Sequence, residues 1–311
     1  MASDAIQYLN RYTAQVETED IYGGGILRWV YGHPLGRLSL HALVKRAIFS
    51  RWYGWRMNRP ASRRKVLPFI DSYQIARDEL ADAPESFRTF NEFFYRKLKP
   101  AARPVSPDPA QVVFPADGRH LGFDDISKID GIFVKGQKFA LETLLQDAVL
   151  TDRFQRGAMV LSRLCPVDYH RFHFPVAGLP DQPRLISGPL FSVSPIALRR
   201  NIHILALNRR ALSRIESEGF GQVLMLEVGA TNVGSFVYTF QPGIRAEKGE
   251  EKGYFKFGGS LVITLFEPGR IRLAPDLVET SKKGMELYAR MGDGMAHGLD
   301  ARSAQSCAAT M

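Results

Sequence analysis

Hydrophobic spacing changes character at about residue 110. Upstream, apolar residues recur every three to four positions. Residues 4–16 fit a short helix, and Gly23-Gly24-Gly25 interrupts the chain after it. Residues 26–57 fit helical structure with a break at His33-Pro34-Leu35-Gly36, and Leu40, Leu43, Val44, Ala47 and Ile48 form one stripe. Another helix is predicted over 69–82, stopped before Pro84. Ser86 is placed to cap the next, whose apolar face is Phe87, Phe90, Phe93 and Phe94. Lys99-Pro100 and Arg103-Pro104 through Pro109 read as a linker, so the chain divides into 1–103 and 104–311.

Downstream the runs are short and of β type. They are Val112–Phe114, Gly131–Val134, Ala158–Leu161, Gly221–Val228, Ser235–Phe240 and Ser260–Phe266, separated by turn residues. Helices are expected at Ala140–Gln146 and over 279–291. The expected class is α+β: an N-terminal helical region followed by a β-rich domain with a few helices. Neither an internal repeat nor a low-complexity segment is visible.

Charge sharpens the N-terminal picture. The net charge is +9, yet Tyr22 to Ile70 holds ten Lys and Arg and no Asp or Glu. Trp29, Tyr31, Phe49, Trp52, Tyr53 and Trp55 interleave with those cations. Aromatic rings at headgroup depth beside cations that meet anionic lipid suit a membrane surface better than solvated helical faces or nucleic acid. No run of about 18 apolar residues is present, so a spanning helix is not expected. The first residues lack a signal or transit pattern. Cys165 and Cys307 are too few for a disulfide framework and read as free thiols in a reducing compartment.

Four clusters could carry chemistry. Gly258-Gly259-Ser260 lies between Tyr254–Phe257 and Leu261–Phe266. It fits a strand with a glycine bulge. It also fits a serine whose hydroxyl attacks the carbonyl before it, since glycine puts no side chain in the way. Asp117, in Phe114-Pro115-Ala116-Asp117-Gly118, fits a turn former. In Asp168-Tyr169-His170-Arg171-Phe172-His173 the two histidines are three apart, so in an extended tract they face opposite sides and can do different work. Metal ligation is a weak reading there, because no Glu or third His stands near. Glu227 to Ser235 reads as a glycine-bracketed turn. An Asp, a His and a Ser suggest a triad, but Val262 stands where a G-x-S-x-G elbow needs glycine. Attack on its own chain is the job left for an activated Ser260.

These residues resemble the phosphatidylserine decarboxylase family over roughly 86 to 295. The resemblance is carried by Thr89–Pro100, Pro115–Gly118, Val134–Phe139 with Leu141–Leu145, Asp168–Pro175, Leu190–Val193 with Asn208-Arg209, Val228–Ser235 and Lys252–Ser260. It implies that Asp117 orients His173 and that His173 deprotonates Ser260. Ser260 would then attack the Gly259 carbonyl. The chain would part into a β chain of 1–259 and an α chain of 260–311, which stay associated, and Ser260 would become a pyruvoyl group. That ketone would form a Schiff base with phosphatidylserine and accept electrons as CO2 leaves, giving phosphatidylethanolamine without PLP or metal. His170 is implied as the acid that protonates the substrate carbon.

The resemblance further implies a carboxy-lyase peripheral to the cytoplasmic face of the cell membrane, a homodimer and no nucleic-acid partner. A pyruvoyl decarboxylase of a soluble amino acid, or an inactive membrane-binding homologue, are the alternatives. Two positions depart from the family pattern. Leu261 replaces a common threonine, and Ala140 replaces a serine that would cap the following helix, a loss of about 1 kcal/mol.

Overall fold

The two longest apolar runs downstream become neighbours at the centre of a sheet. The computed structural model describes residues 6–19, 54–129, 140–199, 201–230, 236–256 and 260–299, with residues 25, 29, 33 and 52. Its strands in chain order are β1 (Gln7–Asn10), β2 (Gln15–Thr18), β3 (Gln111–Val113), β4 (Gly118–Phe123), β5 (Ala158–Leu164), β6 (Arg171–His173), β7 (Leu179–Pro180) and β8 (Arg184–Ile186). Next come β9 (Arg210–Ser217), β10 (Gly221–Gly229), β11 (Phe236–Tyr238), β12 (Glu251–Phe255), β13 (Ser260–Phe266), β14 (Ile271–Leu273), β15 (Glu286–Ala289) and β16 (Gly294–Gly298). The helices are α1 (Val66–Ser72), α2 (Phe90–Phe94), α3 (Leu141–Leu145), α4 (Ala148–Phe154), α5 (Pro195–Leu198), α6 (Ile204–Leu207) and α7 (Pro275–Lys282). The class is α+β with a β-rich majority, as expected.

A large sheet runs β2-β1-β15-β4-β5-β13-β10-β9-β7, with β8 also on β9. Strand alternation gives it two apolar faces. Leu224, Leu226 and Val228 of β10, with Leu261, Ile263 and Leu265 of β13, pack under Leu144, Leu145, Leu198 and Leu205 of the helices. Val223, Met225, Val262 and Phe266 face the other way, against Phe172, Phe174 and Phe255. Phe172 and Phe255 belong to a small sheet, β11-β12-β6, and Phe174 directly follows it. A third apolar cluster joins α1 and α2, where Phe69 meets Phe90 and Phe93 edge-on at 5.2 and 6.0 Å.

Three expected elements are corrected. Residues 4–16 are not a helix. They form the hairpin β1–β2, and β1 pairs in parallel with β15, Leu9 opposite Leu287. Its turn holds Ala14 at φ 54°, a left-handed position with no glycine to announce it. The helix expected over 69–82 is α1, which ends at Ser72 and is followed by Gln74 at φ 49° and a short 3-10 turn. The helix expected over 279–291 starts at Pro275, stops at Lys282 before Gly284 at φ 70°, and gives way to β15. Thr89, not Ser86, caps α2, its Oγ1 accepting from Glu92 N at 3.1 Å. Most of the helix expected over 26–57, the strand expected at 131–134, and Gly258-Gly259 lie outside the described residues. Among the described residues no helix is long and apolar enough to cross a membrane.

Candidate active site

Ser260 opens β13 between Gly229 of β10 and Leu164 of β5. It shares a face with Val262, so its side chain points toward the small sheet that carries His173. It is fully buried, and its Oγ has no hydrogen-bond partner. A buried hydroxyl without a partner costs free energy, so this one does nothing to hold the fold. Leu261 points to the opposite face, into the helix-side core. A threonine hydroxyl there would stand away from the Ser260 side, so its absence leaves the nucleophile's surroundings unchanged. Ala140 does precede α3 without a side-chain cap.

His170 ends a tight loop that comes after β5. The Asp168 carboxylate holds that loop, accepting from Cys165 N and from the Arg119 guanidinium, both at 2.6 Å. The Asp168 carbonyl stands 3.0 Å from His170 Nδ1, which places the ring proton on Nδ1. Nε2 is then a bare lone pair, buried and without a partner. The Phe94 ring lies 3.8 Å from the imidazole, centroid to centroid. Burial pushes His170 down to about 3, with the Arg96 charge adding to the effect. The imidazole is therefore neutral at pH 7. The His170 carbonyl accepts from Phe255 N at 3.0 Å, tying this loop to the strand that leads to Ser260.

His173, on β6, is held differently. Its Nδ1 meets the Gly249 carbonyl at 2.9 Å, and its Nε2 meets the Tyr169 hydroxyl at 3.3 Å. Burial lowers its pKa too, partly offset by the Gly249 carbonyl and by the charges of Glu251 and Asp117.

Asp117 does not hydrogen-bond His173, as the orienting role had led us to expect. Both its oxygens take the Arg103 guanidinium at 2.6–2.9 Å, and Met291 N adds a bond of 2.9 Å. Asp117 is buried, not a turn former at the surface, because a largely buried arginine needs a carboxylate. Its influence on His173 is that of a nearby charge. The orienting hydrogen bond comes instead from a backbone carbonyl that no residue type in the sequence could reveal.

Sequence reasoning also missed a buried ion pair on the Ser260 side of the sheet. Glu227, opposite Val262, takes Lys252 Nζ and the Tyr238 hydroxyl, and neither charge reaches solvent. Lys252 sits over the rings of Phe172, Tyr238 and Phe240. Glu227, the one charge within the apolar run Gly221–Val228, gave the hint. Cys165 is buried, and burial raises its thiol pKa well above the usual value. Among the described residues no group of three His, Cys, Asp or Glu is arranged to hold a metal ion.

A fold that seals a spare hydroxyl and two differently tethered imidazoles away from water belongs to an enzyme. The family model described as phosphatidylserine decarboxylase matches residues 90–297. A protein of Chlamydia muridarum named phosphatidylserine decarboxylase proenzyme is 44% identical over 295 residues, covering 95% of this chain and 98% of that one. Proteins of the same name from Fusobacterium nucleatum subsp. nucleatum and Desulfitobacterium hafniense are 40% and 39% identical, each over 94% of this chain and 98% and 99% of their own. The chain belongs to the phosphatidylserine decarboxylase family, whose members are pyruvoyl-dependent carboxy-lyases.

Proposed function

We propose that this chain is a proenzyme that cuts itself between Gly259 and Ser260 and then decarboxylates phosphatidylserine to phosphatidylethanolamine. The observation that carries the reading is that Ser260 Oγ and His170 Nε2 are each buried without a hydrogen-bond partner among the described residues. Both are buried polar atoms with no structural duty, and both fit a site that becomes complete when Ser260 is converted to a pyruvoyl group. That group, once formed, supplies a ketone for the substrate amine and an electron sink for the carbanion left by CO2.

The side chains divide the remaining work. His173 keeps its Nδ1 proton on the Gly249 carbonyl, so Nε2 is the basic atom that takes the Ser260 proton, directly or through the Tyr169 hydroxyl. The Asp117 charge favours the protonated state of His173 that results. His170 Nε2 is the atom that passes a proton to the α-carbon after CO2 has left, the acid role the resemblance gives it.

The cut leaves the two pieces interleaved. β13 lies between β5 and β10, and β15 lies between β1 and β4. Ladders on both sides of the 260–311 piece therefore hold it to 1–259. The membrane reading rests on exposed Trp29, Trp52 and Trp55, with Arg56 and Arg59 against the last two rings at 5.1 and 4.1 Å. Such a surface suits peripheral contact with the anionic cytoplasmic face of a cell membrane.

The test is release of CO2 from phosphatidylserine vesicles compared with free serine. Turnover of the lipid with little on serine is expected. Preference for the free amino acid would place the chain with decarboxylases of soluble amines, and vesicle binding with no turnover would make it an inactive homologue.

A further inference from the structure

Arg96 is a cation with spare donors beside the proposed proton carrier. It comes directly after Tyr95, the C-cap of α2, and is 4% exposed. Its Nη2 donates to the Val167 carbonyl at 3.0 Å, three residues before His170. Arg171, just after His170, reaches back to the carbonyls of Tyr95 and Arg96 at 3.0 and 3.3 Å. Phe94 covers the imidazole. Three consecutive contacts thus bind the end of α2 to the histidine loop, and the Arg96 guanidinium lies against it. Yet Nε and Nη1 of Arg96 have no partner.

The neighbouring buried arginines each hydrogen-bond a carboxylate. Arg103 holds Asp117 and Glu79. Arg119 holds Asp168, Arg163 holds Glu19 and Glu286, and Arg171 holds Glu251. Arg96 hydrogen-bonds only a carbonyl and lies 5.0 Å from the ring of Phe93, while the charges of Asp117 and Asp168 act on it through space. Buried guanidinium donors without an acceptor are unfavourable, unless a ligand brings one. Arg96 also borders an open cleft of about 280 Å³, lined too by Lys97, Arg171, Asp82 and Glu92, while its unpartnered nitrogens are themselves buried.

We propose that Arg96 is the substrate-carboxylate anchor: its free Nε and Nη1 take the carboxylate of phosphatidylserine and present the α-carbon to His170. This rests on the function proposed above. The carboxylate, the amine and the transferred proton share one carbon, so a cation that touches the His170 loop is within reach of the carboxylate. The carboxylate departs as neutral CO2, which leaves Nε and Nη1 of Arg96 without an acceptor again. The contact therefore favours bound substrate over bound product, and it supplies discrimination between two lipids that share phosphate, amine and tails.

The experiment uses the full-length, self-cut protein and its Arg96→Gln and Arg96→Lys variants. Self-cutting is read by mass. Lipid binding is read as covalent capture on the 260–311 fragment by cyanoborohydride reduction, over a range of phosphatidylserine or phosphatidylethanolamine in neutral vesicles. Arg96→Gln should cut normally. Its half-saturating phosphatidylserine level should rise about 30-fold, the scale of a lost charge-assisted hydrogen-bond pair, while that for phosphatidylethanolamine stays put. Arg96→Lys should fall between. Equal weakening for both lipids would assign Arg96 to their common phosphate, and no change for either would leave it without a ligand; each overturns the proposal. So does failure of both variants to cut, which would make Arg96 a maturation residue. If wild-type protein captures neither lipid, the fault lies with the proposed function rather than with Arg96.

Discussion

His170 and His173 are three residues apart, both buried, and both tethered at Nδ1 by a backbone carbonyl. The difference between them is Nε2: free on His170, taken by Tyr169 on His173. In the proposed mechanism that difference goes with different duties. A positioned acid or base contributes about 10²–10⁴-fold, so His170→Ala should cut at Gly259/Ser260 but lose about 100-fold or more in kcat. Mass and a CO2 assay on one preparation check this, and a normally active variant would remove His170 from the proton path. At this scale the sequence was readable where chemistry needs a residue type. Ser260, His170 and His173 stand out for that reason. It was silent where the partner is backbone: the Gly249 carbonyl, not the Asp117 carboxylate, meets His173 Nδ1.

At the scale of elements, the least expected piece is the hairpin β1–β2. Its apolar residues, Ile6, Leu9 and Val16, fall at a spacing that mimics a helix, and its turn carries no Gly, Pro or Asn. Pairing with β15 decided the outcome. Past β2, Glu19 enters the large sheet's buried charge cluster, where it pairs with Arg163. Burial alone would raise the Glu19 pKa, but the charges and hydrogen bonds of Arg163 and Arg119 bring it down to about 2 from 4.5. Because the folded value lies below the unfolded one, this stabilisation is complete above about pH 4.5 and is lost as pH falls toward 2. Glu19→Gln should cost about 3 kcal/mol at pH 7, as for a broken buried pair, and should flatten the acid limb of the denaturation midpoint against pH. An unchanged acid limb would show that the hairpin's charge does not brace the fold. The long runs of β10 and β13 were legible because aliphatic residues dominate them, with Glu227 the one charge. Helix α7 was misplaced although its signals, Pro275 at the start and Gly284 just past the end, were present.

For the whole molecule, the proposed function asks the basic, tryptophan-rich N-terminal third and the sealed site to meet the same lipid. Exposed cations feel salt more than buried apolar contacts do. Binding to anionic vesicles should therefore weaken severalfold between about 50 and 500 mM salt if Arg56, Arg59, Arg63, Arg64 and Lys65 carry it, with sedimentation as the readout. Salt-independent binding would shift the weight to the exposed indoles. The central claim is that the polypeptide sacrifices its own Gly259–Ser260 bond. Intact-mass measurement of freshly prepared wild-type protein, with and without hydroxylamine, addresses it directly. Two fragments, 1–259 and 260–311, the second beginning with a carbonyl that hydroxylamine modifies, are expected. A single uncut chain that stays unmodified after prolonged incubation would contradict the account.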